Sequence, residues 1–514
     1  MITIPILLCF ALAISLGSSQ SCSSQDADVI IIGAGMAGIA AAARLQEGGI
    51  NNILILEGSN RVGGRLKSAQ IGGASVSLGP GWIIGRDPAD PGLHPLWQIA
   101  EKCGGLRGFY QDTESLVNYD SQGDQPEESQ FRWQDYENAS TGAYNLVAEL
   151  QQSETCDGVS VRYGLNASGW TPVTPTDNWI EWYSSDYPEG SPPENQGLCV
   201  TFGDFDQSYT NFTSPGSSGN EGLNLAYFVS DPDGYEKLVE CISNNVTGGE
   251  NQQTRIIFEA VVTTINWSDD CVCVTATVSG QATEYCSKYA IPTVSVGVLK
   301  AGDIAFIPEL PMWKRDIINR FDMSVFIHIV MEFGEAFWDT AEQIGYIAES
   351  KGSYPIFLNH NITFQENPNV LDVIVTGDVA KRVAGQNKST TIDEIEAILT
   401  IMYPTANVTV LDSAIGDWFS DPLFRGSFIY YAKDLQQTDF ERLGEPVGNL
   451  YISGSATSVG FAGYVHGALF AGREAAEKVL LREAPTAATP GNKAENLHTS
   501  FLIVLLGALC ALCY

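Results

Sequence analysis

Asp28–Ile32 is a run of β-branched apolar residues without polar alternation, which predicts a strand buried on both faces. Gly33-x-Gly35-x-x-Gly38 follows at once. Met36, Ile39, Ala40 and Ala43 then recur at helical spacing, and Gly48-Gly49 supply a stop. A second apolar strand, Ile53–Leu56, ends on Glu57, nineteen residues past Gly38. Strand, glycine turn, helix, strand and acid together form the dinucleotide-binding fingerprint in its full context. Gly33, Gly35 and Gly38 permit close backbone approach to a pyrophosphate. Met36 and Ala37 stand where a helix start presents N–H groups to it. Glu57 can accept from a ribose hydroxyl.

Further along, Glu259–Ile265 predicts a strand, and Met323–Trp338 alternates like one. Residues 111–221 break the pattern: they are rich in Asp, Glu, Ser, Gly and Pro and interleaved with Trp133, Trp170, Trp179, Trp182 and Tyr183. That shift in composition predicts an inserted domain. No internal repeat interrupts the chain, and 514 residues leave room for two or three domains.

The second glycine pair narrows the ligand. Arg61-Val62-Gly63-Gly64-Arg65 places arginines where one can reach the pyrophosphate or the far end of a bound cofactor. From here the chain resembles the flavin-containing amine oxidases, the family of polyamine, monoamine and L-amino-acid oxidases. The cofactor implied by the resemblance is FAD rather than NAD. Ser75–Gly85, with Gly79, Gly81 and Trp82, matches the family's strand and turn beside the flavin. Asp231–Cys241 matches a helix start, and Val262 matches the residue whose backbone holds the adenine. Tyr289–Lys300 and Pro308–Trp313 match the crossover into the second domain, and Phe337-Trp338 matches a family pair. Near the end, Trp418-x-x-Asp421-Pro422, Gly426-Ser427-Phe428 and Gly448–Gly472 follow at family spacing. The resemblance places Trp418 and Phe428 on the flavin face with Tyr464 opposite, and Gly454 and Ser455 at the ribityl chain. Two aromatic planes hold an amine's alkyl carbon over the ring and keep water scarce. His466 reads as structural, closing a helix start, while His94 and His360 lack any motif and are expected on the surface or in loops.

Three departures from the family pattern stand out. His328 occupies the position of a lysine that holds water against the flavin. A free histidine titrates near about 6.5, so its charge would vary around neutrality; the alternative is a satisfied interior histidine without a catalytic water. Ile84 replaces a carboxylate, which favours a less charged amine unless Glu181, Asp186 or Glu189 substitutes for it. Ser455 replaces a glutamate, and its hydroxyl is a weaker acceptor for ribityl oxygens. No cysteine neighbours Ser455–Thr457, where covalent members attach flavin, so the cofactor is expected to be non-covalent.

Composition adds the compartment. Met1–Ser19 carries the apolar run Ile4–Leu16 and reads, without the usual basic residue, as a secretory signal covering residues 1–20. Phe501–Tyr514 is apolar to the last residue. It spans roughly 21 Å as a helix against a membrane core of about 30 Å. With small residues at Gly491, Asn492 and Ala494 and a polar spacer before it, the order matches a glycosylphosphatidylinositol signal within residues 483–514. A short membrane tail is the alternative. Eight N-x-Ser/Thr sequons, at Asn138, Asn166, Asn211, Asn245, Asn266, Asn361, Asn387 and Asn407, agree with secretion. So do eight cysteines between the end signals, Cys22, Cys103, Cys156, Cys199, Cys241, Cys271, Cys273 and Cys286, whose pairing the sequence leaves open. Their spacing suggests no metal site. A formal charge of -34 disfavours nucleic acid and suits either solubility or attraction of cations.

The expected architecture is α/β: a discontinuous, Rossmann-like FAD-binding domain from residues 26–110, 222–310 and 412–482, and an α+β substrate domain with a mixed sheet from 111–221 and 311–411. The activity implied by the resemblance is oxidation of an amine by hydride transfer from its α-carbon, imine hydrolysis and release of hydrogen peroxide, with dioxygen as acceptor. His328, Phe428, Tyr464 and Trp418 are the candidate catalytic residues. Two alternatives remain: an L-amino-acid oxidase using Arg425 or Arg315 for a carboxylate, and a flavin-binding surface protein with little turnover.

Overall fold

The structure, a computed structural model, describes residues 25–203, 212, 226–249 and 253–483. The expected signal, the C-terminal anchor sequence, Cys22 and Asn211 lie outside the described residues.

β1 (Ala27–Ile32) sits inside a seven-stranded sheet, between β2 (Ile53–Leu56) and the strand Gln281–Pro292, parallel to both. Its residues are divided between two cores by the pleat. Val29 and Ile31 join the core shared with α1 (Met36–Glu47), whereas Ile30 and Ile32 join the core on the opposite face. Arg255–Ile257 extends the sheet beyond β2. On the other side an antiparallel meander of Ala260–Trp267, Val272–Val278 and Gln281–Pro292 leads to Ala305–Ile307. The helix Val465–Glu483 lies against α1 through Leu469, Ala475, Ala476 and Val479. The approach is so close that a Cβ on Gly472 would stand 2.0 Å from the Ala37 carbonyl oxygen.

The second sheet has six strands in the order Val410–Ile415, Phe326–Phe333, Val370–Thr376, Ile356–Asn359, Gln343–Ile347 and Leu116–Asp120. All neighbours are antiparallel except the last pair, so the sheet is mixed. The inserted segment contributes one strand to it and otherwise folds into helices, including Trp133–Gln152 and Val161–Ala167. The expected strand over Met323–Trp338 is shorter and broken: Asp322–Met323 pairs elsewhere, and the sheet strand runs only from Phe326 to Phe333. Its apparent alternation is not polar against apolar. Phe326 and Val330 face one core, Ile327, Ile329, Met331 and Phe333 another, and His328 lies on the Phe326 side.

Disulfides join Cys103 to Cys241, Cys156 to Cys199 and Cys273 to Cys286, and Cys271 is also disulfide-bonded. Cys273, Glu284 and Cys286 are the one cluster of potential metal ligands among the described residues, and both sulfurs are consumed by their own bond. No helix among the described residues is long and apolar enough to cross a membrane.

Candidate active site

A cleft of about 1990 Å³ runs between the two sheets. At one end stands the glycine turn. Gly33 adopts φ 104°, and a Cβ there would meet the Thr293 hydroxyl at 2.7 Å, so only glycine fits without a shift. Gly33, Gly35, Met36 and Ala37 line the cleft; Gly38 does not. Its place is behind the wall, where a Cβ would stand 2.0 Å from the Gly33 carbonyl oxygen, which lets α1 press against the turn. Glu57, buried at the end of β2, accepts from the Ala34 amide (2.7 Å) and from the Ser59 amide and hydroxyl (2.8 and 2.7 Å). It therefore braces the turn as well as facing the cleft.

The two arginines of the second glycine pair have separate tasks. Arg61 folds back and donates to the carbonyls of Val62, Leu66 and Gly64, lacing its own loop. Arg65 points into the cleft and donates to the Ser427 carbonyl at 2.7 Å. Burial pushes its guanidinium down to about 10, and no carboxylate pairs with it among the described residues. A desolvated cation beside a glycine cradle and a helix start is a fitting environment for a diphosphate. Val262, Gly454 and Ser455 complete this end, with Gly454 at φ 140° opening the short helix Ser455–Thr457. The residues at this end thus fit the diphosphate of FAD.

The other end is aromatic. Trp418, Phe428, Tyr464, Gly81 and Trp82 all line it, as does His328. Trp418 is pinned by its indole N–H to the Leu78 carbonyl (2.7 Å), and Trp82 by its own to the Gln111 side chain (3.1 Å). Phe428 packs on Phe326 with ring centroids 5.7 Å apart, and Phe326 stacks on Tyr187 at 5.9 Å. Tyr464 stacks on His466 at 5.3 Å and 14°. Behind that pair stands His94, edge-on to His466 at 5.1 Å.

Two expectations about histidines are corrected. His94 and His360 are fully buried rather than at the surface; His94 does stand in the bend before a helix, whereas His360 begins the short helix His360–Thr363. His94 caps the helix Pro95–Lys102, accepting from the Leu96 amide through Nδ1 while Nε2 faces the Ile84 carbonyl at 3.1 Å. That pair of partners fixes the neutral tautomer with the proton on Nε2, and burial pushes its pKa down to about 4. Burial holds His466 well below the usual histidine range too, so neither ring carries charge behind Tyr464. His360 instead meets Asp372, whose Oδ2 lies 3.7 Å from His360 Nε2 and 2.8 Å from His328 Nδ1.

The substitute carboxylates are also corrected. Glu181 accepts from Arg162, from Lys351 (2.7 Å) and from the Trp170 indole (2.9 Å), and Asp186 accepts from Lys351 at 2.8 Å. Both are buried in this ion-pair network and neither lines the cleft. Glu189 does line it, together with Asp112, Glu114 and Glu137, which the sequence did not single out. Ile84 also lines the cleft. Of the arginines considered for a substrate carboxylate, Arg425 pairs with Asp303 and Arg315 with Glu309, and neither reaches the cleft wall.

The profile of the family described as flavin containing amine oxidoreductase matches residues 36–480. The chain belongs to that family. Its members with curated names include Polyamine oxidase 6 of Oryza sativa subsp. japonica, 32% identical over 88% of this chain and 90% of the relative. Polyamine oxidase 1 of Zea mays is 30% identical over the same shares. A solved structure of putrescine oxidase bound to putrescine superposes with a TM-score of 0.69 at 17% identity, covering 89% of this chain and 99% of that one. This family member is an FAD-dependent amine oxidoreductase of mixed α/β fold.

Proposed function

We propose that this enzyme oxidises amines bearing more than one positive centre, in the manner of the polyamine oxidases it is similar to. The observation that carries the reading is the rim of Asp112, Glu114, Glu137 and Glu189 on the same cleft as the aromatic wall. These carboxylates come from segments remote from Ile84 and supply negative charge that its position lacks. Asp112, Glu114 and Glu137 are exposed, so each contributes little binding energy alone but together they concentrate cations at the mouth.

Within the cleft, Phe428, Tyr464 and Trp418 clamp the alkyl carbon, and His328 offers Nε2 for water or for the amine proton. FAD, held by Gly33, Gly35, Arg65, Val262, Gly454 and Ser455, would supply the acceptor for a hydride from the amine α-carbon, with dioxygen as the final oxidant and hydrogen peroxide as its product. The imine left behind hydrolyses in water. An amine panel with peroxide readout on the flavin-loaded protein tests the reading. Turnover should favour di- and polyamines over monoamines by at least tenfold in kcat/KM, and equal turnover of both classes would refute the rim's role. His328→Leu should remove an ionisation from the pH–rate profile; an unchanged profile would take His328 out of the reaction.

The secreted location is part of the same proposal. Disulfides suit an oxidising compartment. The sequons at Asn138, Asn166, Asn245, Asn387 and Asn407 are exposed, and those at Asn266 and Asn361 are half-buried. Attachment through a C-terminal glycolipid is tested by release with a phosphatidylinositol-specific phospholipase.

A further inference from the structure

The strand Val370–Thr376 reads Val-Leu-Asp-Val-Ile-Val-Thr, a carboxylate in the middle of an apolar strand buried along its whole length. Its register sets Asp372 opposite Val330 and places His328 opposite Ile374, so the two side chains are diagonal neighbours on one face of the sheet. Asp372 is wholly buried. Its Oδ2 takes His328 Nδ1 at 2.8 Å and lies 3.7 Å from His360 Nε2, while Oδ1 has no hydrogen-bond partner among the described residues. A lone carboxylate in such a place costs several kcal/mol unless a cation or strong donor compensates it. Burial alone would raise its pKa; the two imidazoles reverse that and hold the carboxyl below its usual range.

We propose that Asp372 is a positioning residue that fixes His328 with its proton on Nδ1, leaving the Nε2 lone pair aimed into the cleft as a base for the substrate ammonium. This rests on the amine-oxidase reading of the cleft and adds to it the group that makes a histidine serviceable there. In the step, an ammonium N–H bond breaks, the electron pair stays on the amine nitrogen, and the proton passes to His328 Nε2. The imidazolium so formed is stabilised by the Asp372 carboxylate, and the pair is neutral as a whole, as the apolar surroundings demand. His360 Nε2, 3.7 Å from the same oxygen, adds to the lowering of the Asp372 carboxyl below its usual range.

Neighbouring elements add little charge. Trp82 (6.3 Å) and Phe326 (5.3 Å) present rings to His328. Tyr187 senses Asp372, but burial drives its phenol well above the usual value, so it stays neutral. Tyr183 touches Tyr187, is raised by burial in the same way, and donates to Gln343 at 3.1 Å.

The test uses the full, flavin-loaded chain with isotope-labelled histidine, His328→Gln identifying the signal among the five histidines. The wild-type resonance should show the Nδ1–H tautomer without substrate, and Asp372→Asn should convert it at least partly to Nε2–H. In anaerobic flavin reduction by an amine, Asp372→Asn should move the ionisation down by about one pH unit and lower the limiting rate tenfold or more. Asp372→Glu should restore part of both if that variant retains the wild-type flavin spectrum. A wild-type tautomer and an unmoved pH profile in Asp372→Asn would overturn the proposal. A wild-type protein whose flavin no amine reduces would sink the amine-oxidase reading instead, and the tautomer measurement would still decide whether Asp372 sets His328.

Discussion

Arg65 is a half-buried guanidinium with a carbonyl for a neighbour and no counter-charge among the described residues, and its replacement should separate cofactor binding from folding. Burial takes its pKa down to about 10. The distance from an ordinary arginine to that value corresponds to about 3 kcal/mol of desolvation that the protein alone does not recover. Arg65→Met removes that cost and gives up the bond to the Ser427 carbonyl, about 1 kcal/mol for a group that water in the cleft can still reach. Urea unfolding of the flavin-free variant should therefore show a gain of about 1–2 kcal/mol. Its affinity for FAD should fall roughly 10- to 150-fold, the loss of about 1.5–3 kcal/mol from charge-assisted hydrogen bonds. Fluorescence titration of flavin-free protein measures the second quantity. A variant that unfolds more easily while binding FAD as tightly as before would refute the assignment of Arg65 to the diphosphate.

Other expectations follow from packing and charge. Glu181→Gln leaves Arg162 and Lys351 without their shared carboxylate, so it should cost about 3 kcal/mol in chemical unfolding while leaving the KM for amines unchanged. Lys314, fully buried, donates to the carbonyls of Leu443 and Glu445, and burial pushes its ammonium down to about 7. The unfolded chain keeps that proton to about pH 10.4, so between these values it binds more protons than the folded one and stability climbs with pH. Lys314→Met should lose this rise when urea midpoints at pH 7 and pH 9 are compared. Gly472→Ala sets a methyl against the Ala37 carbonyl and should cost about 1–3 kcal/mol in thermal unfolding. It should also weaken FAD, because the start of α1 must move.

Local chemistry made the cofactor end legible. Asp28 to Glu57 spells its strand, turn and helix within thirty residues, and those elements lie where the pattern puts them. The aromatic residues of the far wall, Trp418, Phe428 and Tyr464, were implied only by the family resemblance of the strings they sit in. What depends on distant partners was not legible. His94 and His360 carry no local sign of the Ile84 carbonyl or of Asp372, so they read as surface or loop residues. Which of Arg61 and Arg65 faces the cleft is decided by how the Gly63-Gly64 turn folds, with φ of 109° and 60°. The rim carboxylates lie in polar stretches where acids are ordinary. Asp372 was the missed signal: one charge inside a strand of Val, Leu and Ile is seldom there without a purpose.

The walls of the cleft come from opposite ends of the described chain, residues 32–84 and 418–468 among them, and the helix Val465–Glu483 clamps the first helix from outside. A ribosome must therefore deliver almost all of this polypeptide before a prosthetic group has anywhere to settle. Before that, β1 has only β2 beside it, and its other edge waits for Gln281–Pro292, some 250 residues downstream on the order of half the chain. Flavin capture is thus the closing event of biogenesis, and a nascent chain interrupted early emerges both colourless and with an unpaired strand edge to shield.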